Sequence, residues 1–249
     1  MQQVLSKNLT IGRQEINFFK TNGYLVIENC LADWVVKSMQ SETSKFLEAF
    51  SAKSSLDNVD FLYEDSSSTL RLVRNVHETN PLFKKIINDE QFCALAEKLI
   101  VGEAEIVNTK LNFKNAFTGE QFDWHQDSIY LGEHCTESIA FIIAIDEVTH
   151  QNGPMMVIPK SHQHGIIQVP HRDVMTQDDL SQYPKTRTEN LSYSLPNDVL
   201  EENFKKFGIE SFVGSPGTIF AMHCSTFHAS NLNLSPSSRA SFLARFRPI

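Results

Sequence analysis

The chain has no cysteine pair at C-x-x-C spacing. Cys30, Cys93, Cys135 and Cys224 stand far apart, which speaks against a disulfide framework or a thiolate metal site. It has no apolar run of 18 residues and no charged-then-apolar stretch near residue 1, so neither a membrane span nor a secretory signal is expected. It also lacks a basic excess. A net charge of −8 disfavours nucleic acid, which needs a basic face, as a partner. These absences predict a reduced, cytoplasmic protein with no membrane or nucleic-acid partner. There is no internal repeat and no sign of a second domain, and 249 residues fit a single domain of the size common for all-β barrels. Oligomeric state is not legible.

Two textures follow one another along the chain. Ile11, Ile16, Phe18 and Phe19 have helical spacing and run into the stop Thr21-Asn22-Gly23. Tyr24-Leu25-Val26-Ile27 reads as a strand. Trp34, Val35, Met39, Phe46, Leu47 and Phe50 place a second helix over 32–50. A third is expected over 82–99, opened by Pro81. From Ala104 the pattern changes to short β-like runs at 105–113, 123–130, 138–147, 155–158, 210–213, 218–223 and 240–246. Asn152-Gly153-Pro154 and Ser215-Pro216-Gly217 are turns between them. Residues 51–69 read as a polar loop and 171–207 as a long insertion, both lid candidates. The fold class expected is mainly β with flanking helices. A double-stranded β-helix, or jelly roll, would span about 104–249, buttressed by a helical part at about 1–103.

The chemistry lies in histidine and carboxylate spacing. On a strand, His125 and Asp127 share a face and converge on one ion, with Gln126 turned away. His-x-acid alone is a weak signal. With 9 histidines and 30 acids about one match arises by chance, and the chain has two. His171/Asp173 follows Pro170 inside the polar insertion and reads as surface. A second imidazole is expected from His223 or His228, with His223 ending an apolar run like a core histidine. If 218–223 and 240–246 are neighbouring strands, His228 and Arg239 both reach the interior. Two imidazoles and a carboxylate hold ferrous iron on one face and leave positions open, the arrangement of an oxygenase. Zinc-assisted hydrolysis is the alternative enzyme class, but it gives Arg239 no task. A non-catalytic binding protein on the same barrel is the other alternative.

Several ordered blocks carry a family resemblance. They are Gly23-Tyr24-Leu25-Val26-Ile27-Glu28; Leu111-Asn112-Phe113-Lys114; Phe122-Asp123-Trp124-His125-Gln126-Asp127 with Tyr130; Asn152-Gly153-Pro154-Met155-Met156-Val157-Ile158-Pro159-Lys160-Ser161-His162; and His228-Ala229-Ser230, Asn233, Ser235 and Arg239. Together the chain resembles the phytanoyl-CoA dioxygenase family of Fe(II)/2-oxoglutarate oxygenases from about residue 12 to residue 247. Lys160 and Ala229 stand where glycine is usual. The resemblance implies Fe(II) on His125, Asp127 and His228. It implies 2-oxoglutarate chelating that iron, with its far carboxylate on Arg239 beside Ser230. Asn108, Asn112 and Lys114 occupy the places from which family members contact the co-substrate. His162 is read as structural, and Phe122, Trp124 and Tyr130 as either pocket or core. The implied activity is O2-dependent hydroxylation of an unactivated C–H bond of a small molecule, with release of succinate and CO2. Desaturation and cyclisation are related outcomes. Halogenating relatives have glycine or alanine in place of the carboxylate, so Asp127 points away from halogenation. The primary substrate is not legible.

Overall fold

In a computed structural model, the protein is described over residues 3–6, 11–51, 60–63, 69–132, 137–176, 179, 182 and 191–249. Helix α1 (Arg13–Asn22) ends on Gly23, whose φ of +79° gives the left-handed cap that only glycine adopts without strain. Strand β1 (Tyr24–Ile27) and helix α2 (Asp33–Ser51) follow as the periodicity predicts. The single helix expected over 82–99 is instead α4 (Pro81–Ile87) and α5 (Glu90–Ile100), preceded by the short α3 (Val76–Thr79). The break falls at Asp89, whose carboxylate accepts hydrogen bonds from the amides of Gln91 and Phe92 and so starts a new helix. Phe83, Ile86, Ile87, Phe92, Leu95, Ala96 and Leu99 are all buried, so one apolar stripe runs across the break.

Residues 51–69 are not wholly a loop: β2 (Asp60–Tyr63) pairs with β3 (Leu70–Arg74). The rest of that segment, 52–59 and 64–68, lies outside the described residues. The remaining strands are β4 (Ala104–Lys114), β5 (Phe122–His125), β6 (Ile139–Ala144), β7 (Met155–Val157), β8 (Glu210–Ser211), β9 (Ile219–His223), β10 (His228–Ser230) and β11 (Arg239–Pro248). They form a seven-stranded sheet, ordered β1-β9-β6-β11-β4-β3-β2, and a four-stranded sheet, ordered β5-β10-β7-β8. The result is the expected jelly roll, mainly β, with α1–α5 packed against the seven-stranded sheet. The expectation that β9 and β11 are neighbours fails, because β6 lies between them and pairs with both. The expected long insertion also holds helix α7 (Asn197–Phe207), which buries Leu200 and Asn203.

Strand β11 shows how the sheet divides its duties. Ala240, Phe242, Ala244 and Phe246 are buried with the helices in the main core. Arg239, Ser241, Leu243 and Arg245 alternate with them and line a cavity between the sheets. Strand β4, antiparallel to β11 with Arg239 opposite Lys114 and Leu243 opposite Lys110, does the same with Lys110, Asn112 and Lys114.

Candidate metal centre

His125 ends β5, and the register places it directly opposite His228 on β10. Backbone pairing therefore brings together two imidazoles that are 103 residues apart, with ring centroids 4.1 Å apart. Asp127 arrives differently from the expected same-face strand position. The strand has ended, and Asp127 is the N-cap of the short helix α6 (Ser128–Leu131), with helical backbone angles. One ligand atom from each of His125, Asp127 and His228 lies within 4.8 Å of the others. No other group of three histidine, cysteine or acidic side chains among the described residues gathers in this way.

The donor set suits a divalent ion. Each imidazole turns Nδ1 to a backbone carbonyl, His125 to Asp123 at 2.6 Å and His228 to Thr226 at 2.9 Å. Both Nε2 atoms are thereby left toward the carboxylate, with His228 Nε2 3.9 Å from Asp127 Oδ2. Burial, then the neighbouring His228, lowers the His125 imidazole to about 3. Burial also lowers His228. Neutral imidazole is the ligating form, so the pair is ready for metal at neutral pH. Burial alone would raise the Asp127 carboxyl, but Arg245, then the two imidazoles and Lys110, hold it well below the usual carboxylate range. Arg245 Nη2 donates directly to Asp127 Oδ2.

These shifts fix a pH dependence. An unfolded histidine titrates near 6.5. Between there and about 3 the unfolded chain binds a proton that folded His125 refuses. The contribution is complete above pH 6.5 and is lost as pH falls toward 3. The urea midpoint of the metal-free protein is expected to be lower at pH 5 than at pH 7. A midpoint that rises on acidification would contradict the burial of these rings.

Gln126 points away from the triad, as expected, and ties loops together. Its amide nitrogen donates to the carbonyls of Gly165 and Ser225, both at 2.7 Å, and its oxygen accepts from the Ile167 amide at 2.8 Å. Trp124 packs edge-on against Phe204 outside the cavity, so it is core, whereas Phe122 lines the cavity. Tyr130 is exposed, and its hydroxyl accepts from the Tyr193 amide at 3.1 Å, joining α6 to the insertion.

Arg239, the residue expected to anchor the co-substrate, lies on the wall of the cavity that also holds the triad. Arg239 is buried, and its Nε donates to the Asn152 carbonyl at 3.0 Å and its Nη2 to that of Gly153. Burial lowers its guanidinium to about 10, which leaves it charged at neutral pH. Lys114 Nζ donates to Ser230 Oγ at 2.7 Å, and Asn112 shares the wall. Asn108 lies on the same strand opposite Arg245 but does not line the cavity. Lys110, Arg245 and Arg71 line it without having been singled out as site residues, although the two-residue period of β4 and β11 points to the first two.

The remaining candidates lie elsewhere. His171 Nδ1 accepts from the Asp173 amide at 3.2 Å in the insertion. His223 pairs with Glu137 at 3.4 Å. His162 contacts the Lys20 carbonyl at 3.1 Å, a structural role.

Gly153 serves Arg239 through its backbone. Its φ is +73°, and a Cβ there would lie 2.6 Å from the Asn231 carbonyl oxygen and 2.9 Å from Lys114 Cε. Gly153→Ala is expected to cost about 1–3 kcal/mol of stability from backbone strain and to weaken 2-oxoglutarate binding by shifting the Arg239 seat. Thermal unfolding and a co-substrate titration check both. Wild-type values in both would remove this role.

The model of the phytanoyl-CoA dioxygenase (PhyH) family matches residues 19–241. The chain belongs to that family. It is thus a 2-oxoglutarate-dependent, non-haem iron dioxygenase using Fe(II), 2-oxoglutarate and O2. An ectoine dioxygenase of Stutzerimonas stutzeri is 27% identical over 238 residues, covering 94% of this chain and 76% of its own length. An L-proline trans-4-hydroxylase of Streptomyces griseoviridis is 25% identical over 232 residues, covering 92% and 83%. Among solved structures, EctD from S. alaskensis with 2-oxoglutarate and 5-hydroxyectoine superposes with a TM-score of 0.77 at 24% identity. That match covers 100% of this chain and 82% of EctD, and it supports the jelly-roll fold. No helix among the described residues is long and apolar enough to cross a membrane.

Proposed function

We propose that this dioxygenase hydroxylates an unactivated C–H bond of a small-molecule substrate in the cytosol, with release of succinate and CO2. His125, Asp127 and His228 would hold the iron, and Arg239, Lys114, Ser230 and Asn112 the co-substrate. The single observation that carries this reading is the adjacency of the triad and the Arg239 pole in one cavity between the sheets. Hydroxylase and dioxygenase activities of the relatives agree with it.

Iron with 2-oxoglutarate and O2 supplies an oxidant strong enough to break a C–H bond, together with the oxygen atom inserted. The chain's own residues bind, orient and exclude water. The carbonyls of Asp123 and Thr226 fix both imidazoles in the ligating tautomer. The carbonyls of Asn152 and Gly153 hold the Arg239 fork in place, so a carboxylate meets a preorganised partner. Leu72, Ile142, Met155, Phe212, Met222 and Leu243 give the cavity apolar walls that limit water at the reacting centre.

Anaerobic titration with Fe(II) and 2-oxoglutarate tests the reading. The expected result is the weak visible charge-transfer band of a chelated keto acid, then succinate once O2 is admitted. A protein that binds neither iron nor the keto acid would end the proposal, and a hydrolytic zinc enzyme or a plain binding protein would show no such band.

A further inference from the structure

The cavity's charge does not match the protein's. In a chain of net charge −8, Arg71, Lys110, Lys114, Arg239 and Arg245 all line one cavity, and Asp127 is the only carboxylate among its described lining residues. A ferrous ion and a doubly charged keto acid cancel, so loading the site as proposed above brings no net negative charge to Lys110 or Arg245. A desolvated cation without a partner is costly, and a residue such as Lys110 is retained in a buried wall where an anion completes it.

The cations form two groups along β11. Arg239 is pinned by two carbonyls at one end, with Lys114 beside it across the strand pair. Arg245 lies six residues further on, roughly 20 Å along the strand, and Lys110 faces the same cavity from β4. The Lys110 ammonium makes no hydrogen bond or ion pair among the described residues. Among the described residues Arg245 is occupied only by Asp127, the carboxylate that an arriving metal would draw on, and its Nε is buried without a partner there. A keto acid anchored on Arg239 uses the first group and leaves the second.

We propose that the primary substrate is a small organic acid whose carboxylate is held by Lys110 and Arg245, on the far side of the metal centre from Arg239. This rests on the dioxygenase reading of the site. It narrows the substrate class to carboxylates and disfavours neutral or cationic molecules. Arginine's fork matches a carboxylate, and the lysine adds a second, unengaged charge.

The test uses calorimetric titration of the zinc- and 2-oxoglutarate-loaded protein, zinc replacing iron so that no turnover occurs. The probes are L-proline and succinate, their amides L-prolinamide and succinamide, and inorganic phosphate. At least one acid is expected to bind in the millimolar range or better, with its amide roughly tenfold weaker or undetectable. Lys110→Met, which leaves Asp127 untouched, should weaken the acid by a similar factor while 2-oxoglutarate binds as in the wild type. Lys110→Arg should restore acid binding, which a merely structural role for Lys110 would not predict. Failure of both acids to bind, equal binding of acid and amide, or phosphate binding in preference to both acids would each overturn the proposal. Failure of 2-oxoglutarate itself to bind the zinc-loaded wild type would instead sink the dioxygenase reading on which it rests.

Discussion

Asp127→Gly is expected to abolish turnover and, independently, to lower the stability of the metal-free protein by about 3 kcal/mol. The first effect follows from removing one of the three proposed protein ligands. The second follows from the ion pair in which that ligand sits. Arg245 is only 4% exposed at its side chain and Asp127 15%, so the pair is largely out of water. Removing one partner of a buried pair typically costs ~3–5 kcal/mol because the other charge stays buried. Arg245 lines the cavity, which places the expectation at the low end. For a domain of this size that is roughly 6–12 °C in melting temperature. Asp127→Asn separates the two effects. It keeps an acceptor for Arg245, so the stability loss should be smaller, yet it removes the anionic ligand, so turnover should still be lost. A glycine variant with wild-type melting temperature would show that the Arg245 contact is not formed in solution. Full retention of activity would show that Asp127 is not a ligand.

Arg239→Ala carries the next largest effect. Its guanidinium is the buried cation that the Asn152 and Gly153 carbonyls hold rigid at the cavity wall. Truncating one partner of a buried charge pair costs ~2–5 kcal/mol, so the apparent affinity for 2-oxoglutarate should fall by tens-fold to thousands-fold. Arg239→Lys should not restore it, since an ammonium cannot donate to both carbonyls and grip a carboxylate with a planar fork. The alanine variant also leaves those carbonyls without their donors, so some loss of stability accompanies it. The affinity change is therefore best read at a temperature where the variant is fully folded. An unchanged affinity would move the anchor to another cation of the cavity, with Lys114 the nearest candidate across the strand pair.

Much of this arrangement was legible in the sequence, for physical reasons that also explain what was not. The α1 cap at Gly23 and the stripes of α2, α4 and α5 are local patterns, set by backbone freedom and by burial on one face. The division between α4 and α5 was hidden because the apolar stripe continues past Asp89, while the capping hydrogen bonds that end one helix and start the next leave no trace in hydrophobic period. Strand β10 is three residues long, too short to show any period, yet it carries His228. Its meeting with His125 depends on a pairing between distant segments, and so does the placement of β6 between β9 and β11. The spacing of His125 and Asp127 suggested a shared strand face, whereas the chain turns into α6 after His125 and delivers the carboxylate from a helix start. The pairing of Arg245 with Asp127 had no local signal; the structure places Arg245 on the cavity face of β11, where polar and apolar residues alternate.

The most direct measurement is a crystal structure of the protein grown with manganese and 2-oxoglutarate under conditions that prevent turnover. The ion is expected to be bound by the His125 and His228 imidazoles through Nε2 and by the Asp127 carboxylate, with the far carboxylate of the keto acid on Arg239. An ion held by any other set of protein atoms would contradict the account.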